Sequence, residues 1–321
     1  MKLLDVLYNI NKQQGLGNTI WDKLQLKRFA GVVVNWIANS ILPVFLKKSK
    51  ADLDDANCIP VIVSITSFPA RIGRVWMTVE SVLCQSCKPE AVILWLSREQ
   101  FPNELNDLPS ILVEQQKRGL TIRFVDEDIR SYKKFYYAFQ EFKDKLVMTL
   151  DDDLLLPSYF LKSIYDCKLQ HPDNVIASFG FRFYWDEKIG YIHPDGSRIC
   201  HNDSGLNLFF GSGGGTLFDT KVAAKMDTID RIRELCPTAD DIYLNALIRI
   251  GGMGITFHVN NPLLAVKNKG NIALVSHNGD IGDPESVNAK QLKALVAYLG
   301  SNNYNNPFFV GQNAYNHSVF E

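Results

Sequence analysis

Residues Lys145 to Tyr159 read KLVMTLDDDLLLPSY. Leu146 to Leu150 is apolar but for one threonine and runs directly into three aspartates, Asp151, Asp152 and Asp153. A short apolar run of this length is the pattern of a strand buried on both faces. Pro157 and Ser158 before Tyr159-Phe160-Leu161 mark a helix start, with proline in the first turn. The local order is strand, acidic loop, helix, and open α/β sheets hold ligands at the C-terminal ends of such strands. Three adjacent carboxylates repel one another and raise each other's pKa. A divalent cation relieves that repulsion, since hard cations take oxygen ligands. The same triplet also suits a solvated turn or a helix N-cap.

Upstream, strand and helix patterns alternate. Ile59 to Thr66, IPVIVSIT, is β-branched and predicts a buried strand that ends in Ser67-Phe68-Pro69-Ala70-Arg71. Val75 to Leu83 reads as a helix, Ala91 to Leu96 as a strand, Ile111 to Lys117 as a helix and Thr121 to Val125 as a third strand. Asp126 to Lys134 is a polar loop, and Phe135 to Phe142 is helical. Short connections between alternating elements predict an α/β fold with a mostly parallel central sheet flanked by helices.

Downstream the alternation weakens. Val175 to Ser178 is a short strand, and Phe179 to Trp185 is rich in aromatics. Trp185, with Phe181 and Tyr184, suits either the core or a wall on which a ligand stacks, whereas Trp76 and Trp95 read as core. Leu208 to Phe218, LFFGSGGGTLF, carries Gly211, Gly213, Gly214 and Gly215, which let a ligand approach the backbone or simply form a turn. The run matches neither GxGxxG nor GxxxxGK[ST]. Asp240 and Asp241 open an apolar-striped helix, and as residue types they suit an N-cap and first turn. Ile255 to Val259 is a strand, Ser276 to Asp280 a polar loop holding His277, and Pro284 to Leu299 a last helix.

The 321 residues are 46% hydrophobic and 21% charged, with a net charge of −1. That balance is globular and gives no basic field for nucleic acid. Six cysteines in so long a chain make no disulfide framework. Cys84 and Cys87 form a single CxxC, read as small residues on a helix, and a reducing cytoplasmic setting is expected. Residues 1–55 form a separate helical extension. Phe29 to Leu46 is mostly apolar and is flanked by Lys23, Lys27, Arg28, Lys47, Lys48 and Lys50. Asn35, Asn39 and Pro43 argue against a simple membrane span. Two readings stand: an anchor lying in an anionic membrane surface, or an extension packed on the main domain or a second copy. Residues 56–300 form the main domain, with halves 56–155 and 156–300, and 301–321 a tail.

Taken in order, ITSFPARI, VESVLCQSCKPEAVILWLS, SYKKFYYAF, VMTLDDDLLLP and PTADDIYLNAL resemble the GT-A glycosyltransferases, the nucleotide-sugar-dependent class with a DxD motif. They are most similar to a family-2-like bacterial group making surface polysaccharide or lipopolysaccharide. The resemblance covers about Ile59 to Ile250, with a weaker tail to about His277.

It implies that Thr66, Ser67, Pro69 and Arg71 hold the nucleotide. It puts Asp126 or Asp128 at the base or ribose and Lys134 at the donor. Asp151 and Asp153 become the DxD, with Asp152 between them in the donor site, Asp153 and Asp151 on Mn²⁺ or Mg²⁺, and His277 a further ligand. Gly213, Gly214 and Gly215 would lie under the sugars, Asp241 would be general base, and Asp240 its neighbour. The implied partners are a nucleotide sugar, with a UDP-sugar favoured, and a glycan or lipid-linked acceptor. The implied place is the cytoplasm, peripherally at the inner face of the plasma membrane. The physical logic agrees: a leaving diphosphate gathers charge that a metal can stabilise, and a sugar hydroxyl needs a carboxylate to take its proton. The alternatives are a catalytically silent sugar-nucleotide or glycan-binding partner and a nucleotidyltransferase. SFPAR holds one basic residue and no glycine, against the second.

Overall fold

The computed structural model describes residues 2–14, 26–49, 51–53, 58–197, 199–258, 264–267, 279 and 283–309. His277 and residues 310–321 of the tail lie outside them.

Among the described residues three helices come first: α1 (Lys2–Gln14), α2 (Leu26–Ser40) and α3 (Leu42–Leu46). The sheet region then runs β1 (Cys58–Thr66), α4 (Val75–Leu83), β2 (Lys88–Ser97), α5 (Ser110–Gln115), β3 (Leu120–Val125), α6 (Lys133–Glu141) and β4 (Leu146–Leu150). Beyond the aspartates come β5 (Leu154–Leu155), α7 (Phe160–Gln170), β6 (Asn174–Ala177), β7 (Gly180–Asp186) and β8 (Tyr191–Pro194). Next are β9 (Asp203–Ser204), β10 (Leu208–Phe210), β11 (Gly214–Asp219), α8 (Ile229–Leu235) and α9 (Asp240–Ile250). The described elements close with β12 (Gly254–Phe257), β13 (Leu264–Ala265) and α10 (Val287–Ser301).

One eight-stranded sheet has the order β3-β2-β1-β4-β11-β6-β12-β9. The block β3-β2-β1-β4 is parallel throughout, as short strand–helix alternation requires. β11 enters antiparallel between β4 and β6, and β12 returns parallel to β6. The sheet therefore runs through both halves of residues 56–300. Pro60 falls where the β1–β2 register shifts, between Ile59 and Ile62, a place that tolerates a residue with no N–H to donate.

Alternate residues of each strand serve opposite faces. Val61, Val63 and Ile65 join Val92, Leu94, Leu96, Met148 and Leu150 on the face covered by α4 and α7. Ile62, Ile93, Trp95 and Val147 belong to the other face, with Phe135 and Phe139 of α6 and the apolar stripe of α9. Trp76 and Trp95 are buried in these cores, as their sequence context predicts.

The N-terminal helices pack on the first face through Leu4, Leu7, Tyr8, Val34, Ala38, Leu42 and Leu46. Asp5 accepts hydrogen bonds from the backbone N–H (2.7 Å) and hydroxyl (2.8 Å) of Ser158. Tyr159, the residue capping α7, offers no side-chain cap bond of its own. The stretch after the aspartates is not a plain loop: β5 pairs antiparallel with β13. Cys84 ends α4 and Cys87 lies beyond it, so only the first of the pair touches the helix. All six cysteines are free thiols.

Candidate active site

The acidic triplet stands at the C-terminal end of β4, beside the end of β1, and its three side chains have three different fates. Asp152 points inward. Ser67 donates to it at 2.6 Å and Arg71 at 2.9 Å, while Thr78 donates to its backbone carbonyl at 3.0 Å. Only 5% of its side chain is exposed, so Asp152 braces the loop instead of facing a donor. Asp153 also accepts from Arg71, at 2.8 Å, and keeps a quarter of its side chain exposed. Asp151, nearly half exposed, accepts from the Lys134 ammonium at 2.7 Å. Burial pushes the Asp153 carboxyl up to about 6, against the pull of Arg71 and with Asp151 and Asp152 adding to the rise. Burial likewise raises Asp152, opposed by Ser67 and Arg71.

The loop from β10 into β11 closes the other side. The Asp151 N–H donates to the Gly213 carbonyl at 2.9 Å. A Cβ on Gly213 would meet Asp151 Oδ2 at 1.8 Å, so a larger residue there would have to push the Asp151 carboxylate aside. Gly214 and Gly215 open β11 and are buried, and Gly215 has φ of +86°, where glycine is at ease.

Ser212, the one side chain inside this glycine run, makes the link to α9. Its N–H donates to Asp241 at 2.7 Å and its hydroxyl to Asp240 at 3.2 Å, while its carbonyl accepts from Thr149 of β4. Asp240 and Asp241 do not cap their own helix. Ala239 holds the cap position, and Gln291 of α10 takes the N–H groups of Thr238 and Ala239. The acid pair is therefore not spent on the helix end and is held instead by Ser212 and Lys134.

Lys134 is the hub of this cluster. Ser64 of β1 donates to its backbone carbonyl, and the Ser64 hydroxyl itself accepts from the Trp95 indole at 2.9 Å. Its ammonium, almost fully buried, reaches Asp151 at 2.7 Å and Asp240 at 3.2 Å. Burial alone would discharge it, but Asp151, Asp240 and Asp241 outweigh that and raise its pKa. Asp241 is also lifted, to about 6, first by burial and then by Asp240, against the pull of Lys134 and the Ser212 hydrogen bond. Lys133, beside it, is buried and committed to Asp128, so neither lysine belongs to a solvated face.

The remaining sequence-predicted residues fall in three places. Thr66 spends its hydroxyl on the Trp95 carbonyl at 2.9 Å. Pro69 is exposed on the rim. Asp126 is exposed and paired with Arg98 at 2.8 Å, whereas Asp128 is occupied by Lys133 and by Gln100 at 2.6 Å. Trp185 is half-buried at the far end of β7 from Gly180, five residues away and so about 16 Å along the strand. The aromatic residue at the near end is Phe179, which no sequence signal singled out from its neighbours. Phe179 is 59% exposed. A Cβ on Gly211 would sit 2.8 Å from its ring and 3.8 Å from Asp241 Oδ2, so Gly211 makes room for the two to stand together. Ser212 was equally unmarked; its one signal is being the only side chain in GSGGG.

Among the described residues no group of three or more His, Cys, Asp or Glu is placed to hold a metal. Asp151 and Asp153 are nonetheless the partly exposed pair of the triplet. Two carboxylates suit a hard divalent cation whose other positions are filled by water and substrate phosphates, the usual arrangement for Mg²⁺.

No family model matches the chain, and no curated protein matches it. Among solved structures it is similar to residues 1–349 of S. aureus TarS in complex with UDP. The identity is 11% and the TM-score 0.45, over 75% of this chain and 71% of that one. A second structure of S. aureus TarS 1–349 aligns at 11% identity and a TM-score of 0.41, over 66% and 59% of the respective chains.

Proposed function

We propose that this chain is a metal-dependent, inverting glycosyltransferase. It moves a sugar from a nucleotide-sugar donor, a UDP-sugar being favoured, to a hydroxyl of a glycan or lipid-linked acceptor in bacterial surface polysaccharide synthesis. The observation that carries this reading is the division of the acids into two groups around Lys134. One group, Asp151 on Lys134 and Asp153 on Arg71, opens at the end of β4; the other is Asp240, which Lys134 also reaches, with Asp241 held by the Ser212 N–H.

Asp151 and Asp153 would hold Mn²⁺ or Mg²⁺, with His277 as a further ligand outside the described residues. When bound, the ion neutralises charge on the leaving diphosphate. Asp241 accepts the proton of the acceptor hydroxyl as its oxygen attacks the anomeric carbon, from the face opposite the departing nucleotide. A carboxyl raised to about 6 is a stronger base than an ordinary aspartate and is still ionised at neutral pH. Ser67 and Arg71 act through Asp152 and Asp153, whose orientation they hold. Pro69 and Asp126 are left at the rim for the nucleotide. The expected setting is cytoplasmic, at the inner face of the membrane.

The test is a thermal-shift panel of UDP-, GDP-, dTDP- and CMP-sugars, each with Mn²⁺ and with EDTA, since a ligand of the folded state raises the melting temperature. One nucleotide class should raise it only with metal, and Asp153→Ala should remove the rise. No shift with any donor overturns the assignment.

A further inference from the structure

Helices α2 and α3 use one side to pack and leave the other bare. Val34, Ala38, Leu42 and Leu46 are buried against the domain. Val32 (67%), Val33, Trp36 (59%), Val44 and Phe45 are exposed. Residues 32, 36, 40 and 44 are spaced four apart, one side of a helix, and Ile41 between α2 and α3 keeps right-handed helical dihedrals. The bare side therefore carries Val32, Val33 and Trp36 on α2 and Val44 and Phe45 on α3, with Ser40 the polar residue between the two groups. Isolated exposed apolar residues need no explanation, but a contiguous patch marks an interaction site.

Charge identifies what meets it. The described side chains of residues 2–10 and 31–49 include three cations, Lys2, Lys47 and Lys48, all exposed. Their one acid is Asp5, whose carboxylate is occupied by Ser158. An apolar cleft of about 460 Å³ opens beside this face, lined by Leu3, Leu42, Phe45 and Leu46 together with Lys2 and Lys48. Apolar side chains rimmed by lysines match a surface of acyl chains under anionic headgroups. A twofold contact would bring this face against itself, where the described side chains offer its lysines no carboxylate other than Asp5, already held by Ser158. None of the described helices is long and apolar enough to cross a membrane, so the contact is with its surface.

We propose that α2 and α3 seat this protein on an anionic lipid surface. Trp36, Val44 and Phe45 enter the boundary between headgroups and acyl chains, and Lys2, Lys47 and Lys48 meet lipid phosphates. Neither nucleotide nor metal binding is assumed, so the proposal stands or falls apart from the transferase assignment.

Flotation of the full chain with vesicles decides it. Vesicles of three parts phosphatidylcholine to one part phosphatidylglycerol should carry the protein, and pure phosphatidylcholine should bind at least about tenfold more weakly. Raised salt should release it. Lys2→Glu with Lys48→Glu, and separately Trp36→Ser with Val44→Ser, should each abolish flotation while leaving melting temperature and circular dichroism unchanged, because these side chains are exposed. Brominated lipid should quench Trp36, and Trp36→Phe should lose that quenching. Vesicle binding unaffected by either double variant overturns the proposal. So does a dimer in sedimentation velocity that the Trp36→Ser, Val44→Ser variant converts to monomer, without any vesicle binding by the native chain.

Discussion

Gly213 and Asp151 share one space: a methyl group on the glycine would lie 1.8 Å from the aspartate's Oδ2. The Asp151 side chain stands over the bare Cα, and its own N–H donates to the Gly213 carbonyl. The glycine run is a bed for the acidic loop as well as an opening for substrate.

Gly213→Ala should therefore displace Asp151 or the β10–β11 loop. We expect a loss of about 1–3 kcal/mol in stability, as for overpacking elsewhere, and loss of transfer. Gly300→Ala is the control. Nothing lies within 4 Å of its added methyl, and it sits in α10, so it should be neutral or stabilising by up to about 1 kcal/mol. Urea denaturation of both variants reads the difference; equal stabilities would show that the loop yields freely.

Arg71→Ala removes the cation facing Asp152 and Asp153 and strands a buried carboxylate. Breaking such a pair should cost about 3 kcal/mol at pH 7. Arg98, whose contacts to Glu104 and Asp126 are exposed and screened by solvent, should leave stability nearly unchanged when changed to alanine. Denaturant midpoints for the two variants should separate clearly, and near-equal values would demote Arg71 to a surface residue.

Asp241 carries a pH signature. Its folded pKa of about 6 lies above the ordinary aspartate value near 3.9. The folded state thus binds this proton more tightly, and Asp241 costs stability progressively as pH rises from about 4 to 6. Asp241→Asn should be more stable than the native chain at pH 7, by up to about 3 kcal/mol, and equal to it near pH 4. The Ser212 N–H can still donate to the amide oxygen. Transfer by the native chain should fall as pH drops through about 6, and the variant should bind donor yet fail to transfer. A variant that transfers normally would remove Asp241 from the base role.

Phe179 should matter to the acceptor alone. Its exposed ring beside Asp241 offers a stacking platform worth about 1 kcal/mol. Phe179→Ala should raise the acceptor KM by roughly fivefold, leave donor KM unchanged and shift stability by under about 0.5 kcal/mol. Trp185→Ala, at the other end of β7, should leave both KM values alone. An unchanged acceptor KM in the Phe179 variant would leave the platform without a role.

The fold was legible where burial imposes a pattern. The β-branched run Ile59–Thr66 and the apolar run Leu146–Leu150 became β1 and β4 within a residue of the expected ends, because strands buried on both faces admit little else. Less legible were the two-residue strands. Leu154 and Leu155 pair with Leu264 and Ala265, more than a hundred residues away, and nothing local announces that partner. The N-terminal extension was open between membrane and domain. Its helices are apolar on both sides, so composition alone could not say that Val34 faces inward and Val32 outward.

The sequence by itself determined which chemistry is available: a carboxylate triplet after a buried strand, a second acid pair opening a helix, a lysine before Phe135, and a glycine run. Those follow from residue type and short-range periodicity. Tertiary structure alone decided what each group does. It turned Asp152 inward onto Ser67 and Arg71, left Asp151 and Asp153 facing out, and set Lys134 between Asp151 and Asp240. It also brought Phe179, not Trp185, beside Asp241. The reason is physical. A side chain's protonation and reach depend on its burial and on charges a few ångströms away, and those neighbours come from strands and loops up to about a hundred residues distant in sequence.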